Sequence, residues 1–528
     1  MIDPARPGQR RRIERPSVAD VEAMALLDAI ELGEGEAGQL HGTVAALVEA
    51  AARAEERETI ELPLRPGRRD PGHRPSPEED PHNAFVRRCV VEGAPAGPLA
   101  GRTVAVKDNI AVGGVPMTEG SYFPPFTPTV DAVVVERVLD AGGTIVGTLN
   151  MDDHAGGATG VMSAFGPSLN PVDPERTAGG SSTGAGAAVR SGAVDLALGV
   201  DQGGSGRIPA AFCGVVGVKA THGLIPSFGV GHIDHTIDHV TPLAVGVHDA
   251  ALLLEVVAGD DWRDPQWVRG AGPVAAGSYT SAAGVGVEGM TIGVIEESVS
   301  SVECDPSVLE GLERAVGALR EAGATVERFS LPIWADGFAT YQPFVAHLIA
   351  NMIRSEGVGY GHLGYIDVDR MHAFAVARRA ESRVLNPYLK CWLLADRFLH
   401  ERHLNVSFGL LQNQRLLLRR RVCEALRDRD LLLTPTVPMV APRLLDHEPS
   451  LDELLADSPA SVAFNTAPLN MTGHPGLSIP TEWGRGGALP TAVQVIAPHF
   501  AEHAAFRAAF VLEASLGPFR LQLDSGGR

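Results

Sequence analysis

Positive charge, paired cysteines and long apolar runs are all scarce in this chain, and each scarcity excludes a class of protein. Lys and Arg number 44 against 64 Asp and Glu, a formal net charge of −20. The basic face that non-specific nucleic-acid binding requires is therefore not expected. Five cysteines (Cys89, Cys213, Cys304, Cys391 and Cys423) are scattered, odd in number and never spaced as CxxC. That spacing offers neither a disulfide frame nor a zinc pattern and fits a reducing compartment. No run of about 18 apolar residues occurs, and the Arg/Pro-rich N-terminus holds no apolar stretch of signal-peptide length. The expectation is a soluble, cytoplasmic protein. No Gly-Lys-Ser/Thr follows the glycine-rich runs and no His-Glu-x-x-His is present, so neither a nucleotide-binding P-loop nor a thermolysin-like metal site is expected.

What is present is an ordinary globular balance over 528 residues, 45% of them hydrophobic and 20% charged. Residues from Ser17 to about Glu58 read as helices, with Val44, Leu47, Val48 and Ala51 at the spacing of one buried face. Arg65 to His82 is dense in Pro, Gly and charge and reads as a linker. From Gly101 onward strands and helices alternate: a strand at Thr103–Val106, a helix at Asp131–Ala141, a strand at Thr144–Thr148, and a small-residue helix from Ala185. Ile292–Ile295, Val308–Ala322 and Thr325–Phe329 repeat strand, helix, strand. Such alternation predicts a largely parallel or mixed sheet covered by helices. Phe344 to Arg427 reads as mostly helical, and Leu431–Leu433 as a short strand stopped by proline.

The chemistry concentrates in two glycine-flanked serines. Gly179-Gly180-Ser181-Ser182-Thr183-Gly184 is followed by Asp201-Gln202-Gly203-Gly204-Ser205, placing Ser181 and Ser205 24 residues apart. Upstream, Thr103-Val104-Ala105-Val106-Lys107-Asp108-Asn109 sets a lone lysine at the end of an apolar run. Glycines before Ser205 let the backbone approach a substrate, and successive N–H groups in such a turn can hold an oxyanion. A serine hydroxyl needs a base, and Lys107 can serve if burial keeps it neutral. Gly180-Ser181-Ser182-Thr183-Gly184 also matches the G-x-S-x-G elbow, which would make Ser182 the nucleophile. An elbow needs a strand just before it, and Asp173–Thr177 reads as a turn. Otherwise Ser182 is a helix cap. His232, His235 and His239 have metal-like spacing on a loop between Asp234 and Asp238, but no metal site and no cofactor is expected.

With Gly217-Val218-Lys219-Ala220-Thr221-His222-Gly223-Leu224, Thr236-Ile237-Asp238-His239, Phe464-Asn465-Thr466-Ala467-Pro468 and Met471-Thr472-Gly473-His474-Pro475 in the same order, the sequence resembles the amidase signature family of serine hydrolases. The resemblance is close over roughly Pro98–Gly259. It implies an α/β fold with a mixed central sheet covered by helices. A small helical N-terminal domain with its linker would occupy 1–82, and a catalytic domain 83–528 with a helical insertion at about 335–428. It also implies a catalytic triad of Lys107, Ser181 and Ser205, in which Ser181 follows a cis peptide bond and relays the proton. The N–H groups of Gln202, Gly203, Gly204 and Ser205 would form the oxyanion hole, with Asp201, Thr159 and Ser182 among the substrate-binding residues. Asp238-His239 and His474 would be structural.

The activity implied is hydrolysis of carboxylic acid amides through an acyl-enzyme, on small-molecule substrates. No nucleic-acid or membrane partner is expected, and the N-terminal helices would act as a homodimer contact or a cap. The alternatives are the A-type subunit of a glutamyl-tRNA amidotransferase, which requires partner subunits, a hydrolase of acylhydrazides or carbamates, and a non-catalytic relative. Five departures from the family pattern stand out. Gly206 replaces a branched residue, Thr183 a glycine, and Gly156-Gly157-Ala158-Thr159 larger or serine residues. Thr241 replaces a glycine, and Thr491-Ala492 a usual Val-Gly. None removes a catalytic group, but Gly206, Gly156 and Thr183 put the substrate pocket in doubt.

Overall fold

A computed structural model describes residues 13–56, 60–264, 277–362, 364–447, 450–456, 460–484 and 487–517. The chain divides into two compact units, Met1–Pro63 and Leu64–Arg528. In the first, helices span Val18–Leu27 and Glu36–Ala52. Ser17 caps the former: its hydroxyl accepts from Asp20 N–H while the Asp20 carboxylate accepts from Ser17 N–H, a reciprocal cap that satisfies two otherwise orphaned donors. The buried positions of the second helix are Ala37 and Ala45, whereas Leu47 is 68% exposed. The expected Val44/Leu47/Val48/Ala51 stripe is thus shifted, because small alanines rather than the bulkier side chains face inward.

The second unit is built on a mixed sheet of twelve strands with a small separate hairpin. In chain order the first strands are β1 (Arg69–His73), β2 (Phe85–Val91), β3 (Thr103–Lys107) and β4 (Thr144–Leu149). The hairpin is β5 (Leu169–Asn170) and β6 (Asp173–Thr177). Next come β7 (Leu196–Asp201), β8 (Val216–Lys219) and β9 (His239–Ala244). The last are β10 (Thr291–Ile295), β11 (Thr325–Phe329), β12 (Leu431–Pro435), β13 (Gly476–Glu482) and β14 (Thr491–Ile496). Their spatial order is β1-β2-β4-β3-β7-β9-β8-β13-β14-β12-β10-β11. Parallel pairs β4/β3/β7 and β12/β10/β11 flank a central antiparallel run.

Two expectations change here, and a third gains detail. The segment expected as a linker supplies β1, which pairs with β2 at the sheet edge. Asp173–Thr177, expected as a turn, is a strand, although it pairs only with β5 outside the main sheet. The helical insertion resolves into four helices, Ile333–Arg354, Val368–Glu381, Pro387–His403 and Val406–Ala425. Among the described residues, no helix is long and apolar enough to cross a membrane.

Two features position the site. Lys107 ends β3 and Asp201 ends β7, and these strands are parallel neighbours in register Val104–Leu196 and Val106–Leu198. Ligand sites of α/β sheets form at such carboxyl ends. The helix Thr183–Arg190 is buried throughout its length. Its small residues let it lie close to the chain: a Cβ on Gly184 would come within 2.0 Å of the Ala84 carbonyl oxygen.

Candidate active site

At the end of β3 the Lys107 side chain is fully buried and its Nζ donates to Ser181 Oγ at 2.8 Å, with the Val200 carbonyl at 3.5 Å. Burial drives its pKa down from 10.5 to about 7. The nearby carboxylates Asp152, Asp201, Asp238 and Glu119 only partly oppose that fall. A lysine held there is a usable base near neutral pH. Asp152 is itself pushed up to about 6 by burial, against the pull of the Met162 N–H, Lys107 and the Gly160 N–H. The Gly180–Ser181 peptide bond is cis.

The two serine loops are stitched together: Ser182 N–H donates to the Ser205 carbonyl at 3.1 Å. Ser182 sits at the N-cap of Thr183–Arg190, but its side chain makes no cap hydrogen bond. Instead its hydroxyl donates to the Val200 carbonyl (2.9 Å) and accepts from Val200 N–H (3.1 Å), tying the helix to β7. A hydroxyl saturated in this way inside the core is not placed to attack a substrate.

The turn after β7 is organised by Asp201. Its carboxylate receives both Nε and Nη2 of Arg207 at 2.9 Å, the Gly204 N–H at 2.8 Å, the Gly206 and Arg207 N–H groups at 3.3 Å, and the Asn470 amide at 2.9 Å. Burial alone would raise the Asp201 pKa, but the Arg207 guanidinium and these donors hold it well below the usual carboxylate range. Arg207 is completed by Gln494 Oε1 (2.6 Å) and Asn470 Oδ1 (2.7 Å). Asp201 is therefore a brace for the turn and not a group that faces substrate. The Gly204 N–H is committed to that brace, so the expected set of four oxyanion donors reduces to Gln202, Gly203 and Ser205.

Ser205, Gln202 and Gly203 open onto a cavity of about 370 Å³. Its other walls include Phe338, Tyr341, Tyr388, Trp392 and Val462. Both polar atoms of the Gln202 carboxamide are buried without a protein partner. Gly203 is required by packing: a Cβ there would fall 2.1 Å from Tyr341 Oη. Thr159 does not line the cavity; its carbonyl accepts from the Thr177 hydroxyl. Gly157 and Ala158 do line it. Gly206 and Thr241, two of the departures, lie against each other. A Cβ at Gly206 would come within 2.4 Å of Thr241 Cγ2, so the threonine fills space that a branched residue after Ser205 would need.

The three loop histidines do not converge. His232 Nδ1 pairs with Asp238 (3.0 Å), His235 Nε2 with the Val358 carbonyl (3.1 Å), and His239 Nδ1 with the Ile237 carbonyl (2.8 Å). His474 lies outside the cavity, against Cys423 and His499. The aromatic walls and the Arg207–Gln494–Asn470 braces went unseen in the sequence. The walls come from the helices Ile333–Arg354 and Pro387–His403, where periodicity marks helix but not which residues meet a cavity.

Comparison with known proteins agrees with this geometry. The Amidase family model matches residues 84–506. The A-type subunit of glutamyl-tRNA(Gln) amidotransferase from Halobacterium salinarum is 39% identical over 443 residues, covering 82% of this chain and 99% of the relative. The crystal structure of the A-type subunit of glutamyl-tRNA(Gln) amidotransferase from Thermotoga maritima superposes with a TM-score of 0.67 at 32% identity, over 82% of this chain and 88% of that one. A crystal structure described as an amidase gives a TM-score of 0.61 at 29% identity, over 80% and 86%. These relatives correct the expectation of a chain whose partners are a small-molecule amide and a second copy of itself through N-terminal helices. The first two are named as one subunit of an amidotransferase for a tRNA, that is, as part of an assembly. On the family match across most of its length, this chain belongs to the amidase signature family of enzymes that act on amide C–N bonds.

Proposed function

We propose that the chain cleaves an amide C–N bond through an acyl-enzyme on Ser205, with Lys107 as base and Ser181 as relay. The observation that carries this reading is the 2.8 Å contact between Ser181 and a buried lysine whose pKa lies near 7. Ser205 Oγ forms a bond to the amide carbon as its proton passes through Ser181 to Lys107. The N–H groups of Gln202, Gly203 and Ser205 receive the oxyanion, each such donor contributing roughly 3–4 kcal/mol in comparable sites. Collapse breaks the C–N bond, and the proton returns through Ser181 to the departing nitrogen. Water, deprotonated by the same relay, then frees the acid.

Two substrate readings share these steps. The relatives support an A-type amidotransferase subunit, which would release ammonia from an amide donor inside an assembly. That reading has more behind it than a free-standing amidase. One observation favours the second: among the described lining residues none is charged. A free amino-acid amide such as glutamine would bring an ammonium and a carboxylate against walls with no opposite charge to pair them, a cost of several kcal/mol per unpaired buried ion. Neutral carboxamides, hydrazides or carbamates would not incur it.

Turnover by the purified chain alone separates the readings. Ammonia release from a neutral carboxamide, with none from glutamine, establishes the free-standing amidase. Glutamine turnover that appears only with co-purifying partner chains establishes the amidotransferase role. Turnover of both donor types undiminished in Ser205→Ala would overturn the acyl-enzyme itself.

A further inference from the structure

Far from one another in sequence, Cys423, His474 and His499 meet outside the lining of the cavity. Cys423 is half-buried on the helix Val406–Ala425, His474 follows the helix Ala467–Thr472, and His499 lies in the loop after β14. Each offers one donor atom, and the three lie within 4.8 Å of one another. Among the described residues this is the one group of three such donors that close. The Cys423 Sγ to His474 Nε2 separation is 3.5 Å. Zinc bonds of roughly 2.3 Å to sulfur and 2.0–2.1 Å to nitrogen, set at the tetrahedral angle, give a sulfur–nitrogen edge of about 3.5 Å. The imidazoles of His474 and His499 pack against each other, 3.8 Å between centroids at a 35° tilt.

Two further features fit a ligand set. His499 uses Nε2 on the Thr472 carbonyl at 3.0 Å, which leaves Nδ1 as its free donor. Metal-bound histidines commonly secure their second nitrogen in this way. His474 is 1% exposed, and its Nε2 is the ring nitrogen that faces Cys423 Sγ.

We propose that Cys423, His474 and His499 form a binding site for a divalent cation of the zinc class, with solvent as the fourth ligand. A thiolate and two imidazoles suit zinc or cobalt better than magnesium or calcium, which prefer oxygen. The ion takes no part in amide cleavage. It cross-links the insertion helix Val406–Ala425 to the loops before β13 and after β14, next to the helix Ala467–Thr472 that carries Asn470 and the strand that carries Gln494. The site is independent of the proposed hydrolysis, and its failure leaves that chemistry standing.

Cobalt(II) titration of the chelator-treated full-length chain tests it. The wild type should bind one equivalent with a thiolate-to-cobalt charge-transfer band that zinc abolishes. Cys423→Ser should remove the band, and His499→Ala should weaken binding by about 10-fold or more. His235→Ala, at a loop histidine bonded to the Val358 carbonyl and outside this trio, should bind like wild type. Absence of the band in wild type, or its retention in folded Cys423→Ser, overturns the proposal, as does loss of binding in His235→Ala alone. Should Cys423→Ser not fold, the His499→Ala and His235→Ala pair decides.

Discussion

Lys107 carries the most quantitative consequence of the site. Its pKa of about 7 against 10.5 for an unperturbed lysine is a shift that the fold must sustain, and at about 1.4 kcal/mol per unit it corresponds to roughly 5 kcal/mol. If the neutral amine is the base, kcat/KM follows its deprotonation. Activity should rise about five-fold from pH 6 to 7, less than two-fold from pH 7 to 8, and then level. Asp152→Asn removes the carboxylate that most raises the Lys107 pKa, and the midpoint should move to lower pH.

The same shift acts on stability. The folded value lies below the unfolded one, so between about pH 7 and 10.5 the unfolded chain binds the extra proton. The Lys107 contribution to stability therefore improves as pH rises through that window, by up to about 1.4 kcal/mol per pH unit, and is least favourable below pH 7. Lys107→Met should be inactive yet stabilised, by more at pH 7 than at pH 10. Stopped-flow or continuous ammonia assays across pH 5.5–10 (about half-unit steps) give the first profile, and urea unfolding at pH 7 and about 9.5 gives the second. A midpoint near that of a free lysine, or a Lys107→Met enzyme with wild-type turnover, refutes the assignment.

Four further outcomes follow from the geometry. Ser205→Ala should abolish turnover with the fold intact, and a fluorophosphonate should label the Ser205 peptide of the wild type; labelling at Ser182 would instead revive the elbow. Lys107→Ala should lose more activity than Ser181→Ala, and the double variant should be little worse than Lys107→Ala, since such groups act as a unit. Gly206→Ala should cost about 1–3 kcal/mol by overpacking against Thr241, and Thr241→Gly should restore it in a double-mutant cycle followed by urea unfolding; strict additivity would sink the idea that the two departures compensate. Arg207→Met strands a buried carboxylate and should destabilise by about 3–5 kcal/mol, a loss that thermal unfolding would register and whose absence would remove Asp201 from its bracing role.

Much of this was legible in the residues because it rests on short-range chemistry. The apolar run ending at Lys107, the glycines before Ser205 and the strand–helix alternation each reflect a local demand on the backbone. Antiparallel strands β8, β9, β13 and β14 were not anticipated, since Gly217, Pro242 and Pro480 weaken their β signal and their pairing is settled by neighbours far along the chain. The role of Asp201 misled for the same reason: its partner Arg207 is six residues away, but Asn470 and Gln494 are invisible to any local pattern. Gly206 and Thr241 each departed from the family alone, and only their contact shows a single exchange of volume between two sites.

The bracing of Arg207 also has a consequence in time. A ribosome delivers the chain from its N-terminus, so Lys107, Ser181 and Ser205 all emerge while Asn470 and Gln494 have yet to be made. Throughout that interval Arg207 has Asp201 as its partner and lacks the two carbonyl oxygens that close its ring of acceptors. One of the two antiparallel neighbours of β8, the strand β13, is likewise missing until residue 476 has been added. A chain cut short ahead of Gln494 thus keeps every reacting group and lacks the framework that holds the nucleophile turn. The framework of that turn is complete only once β13 and β14 have been made.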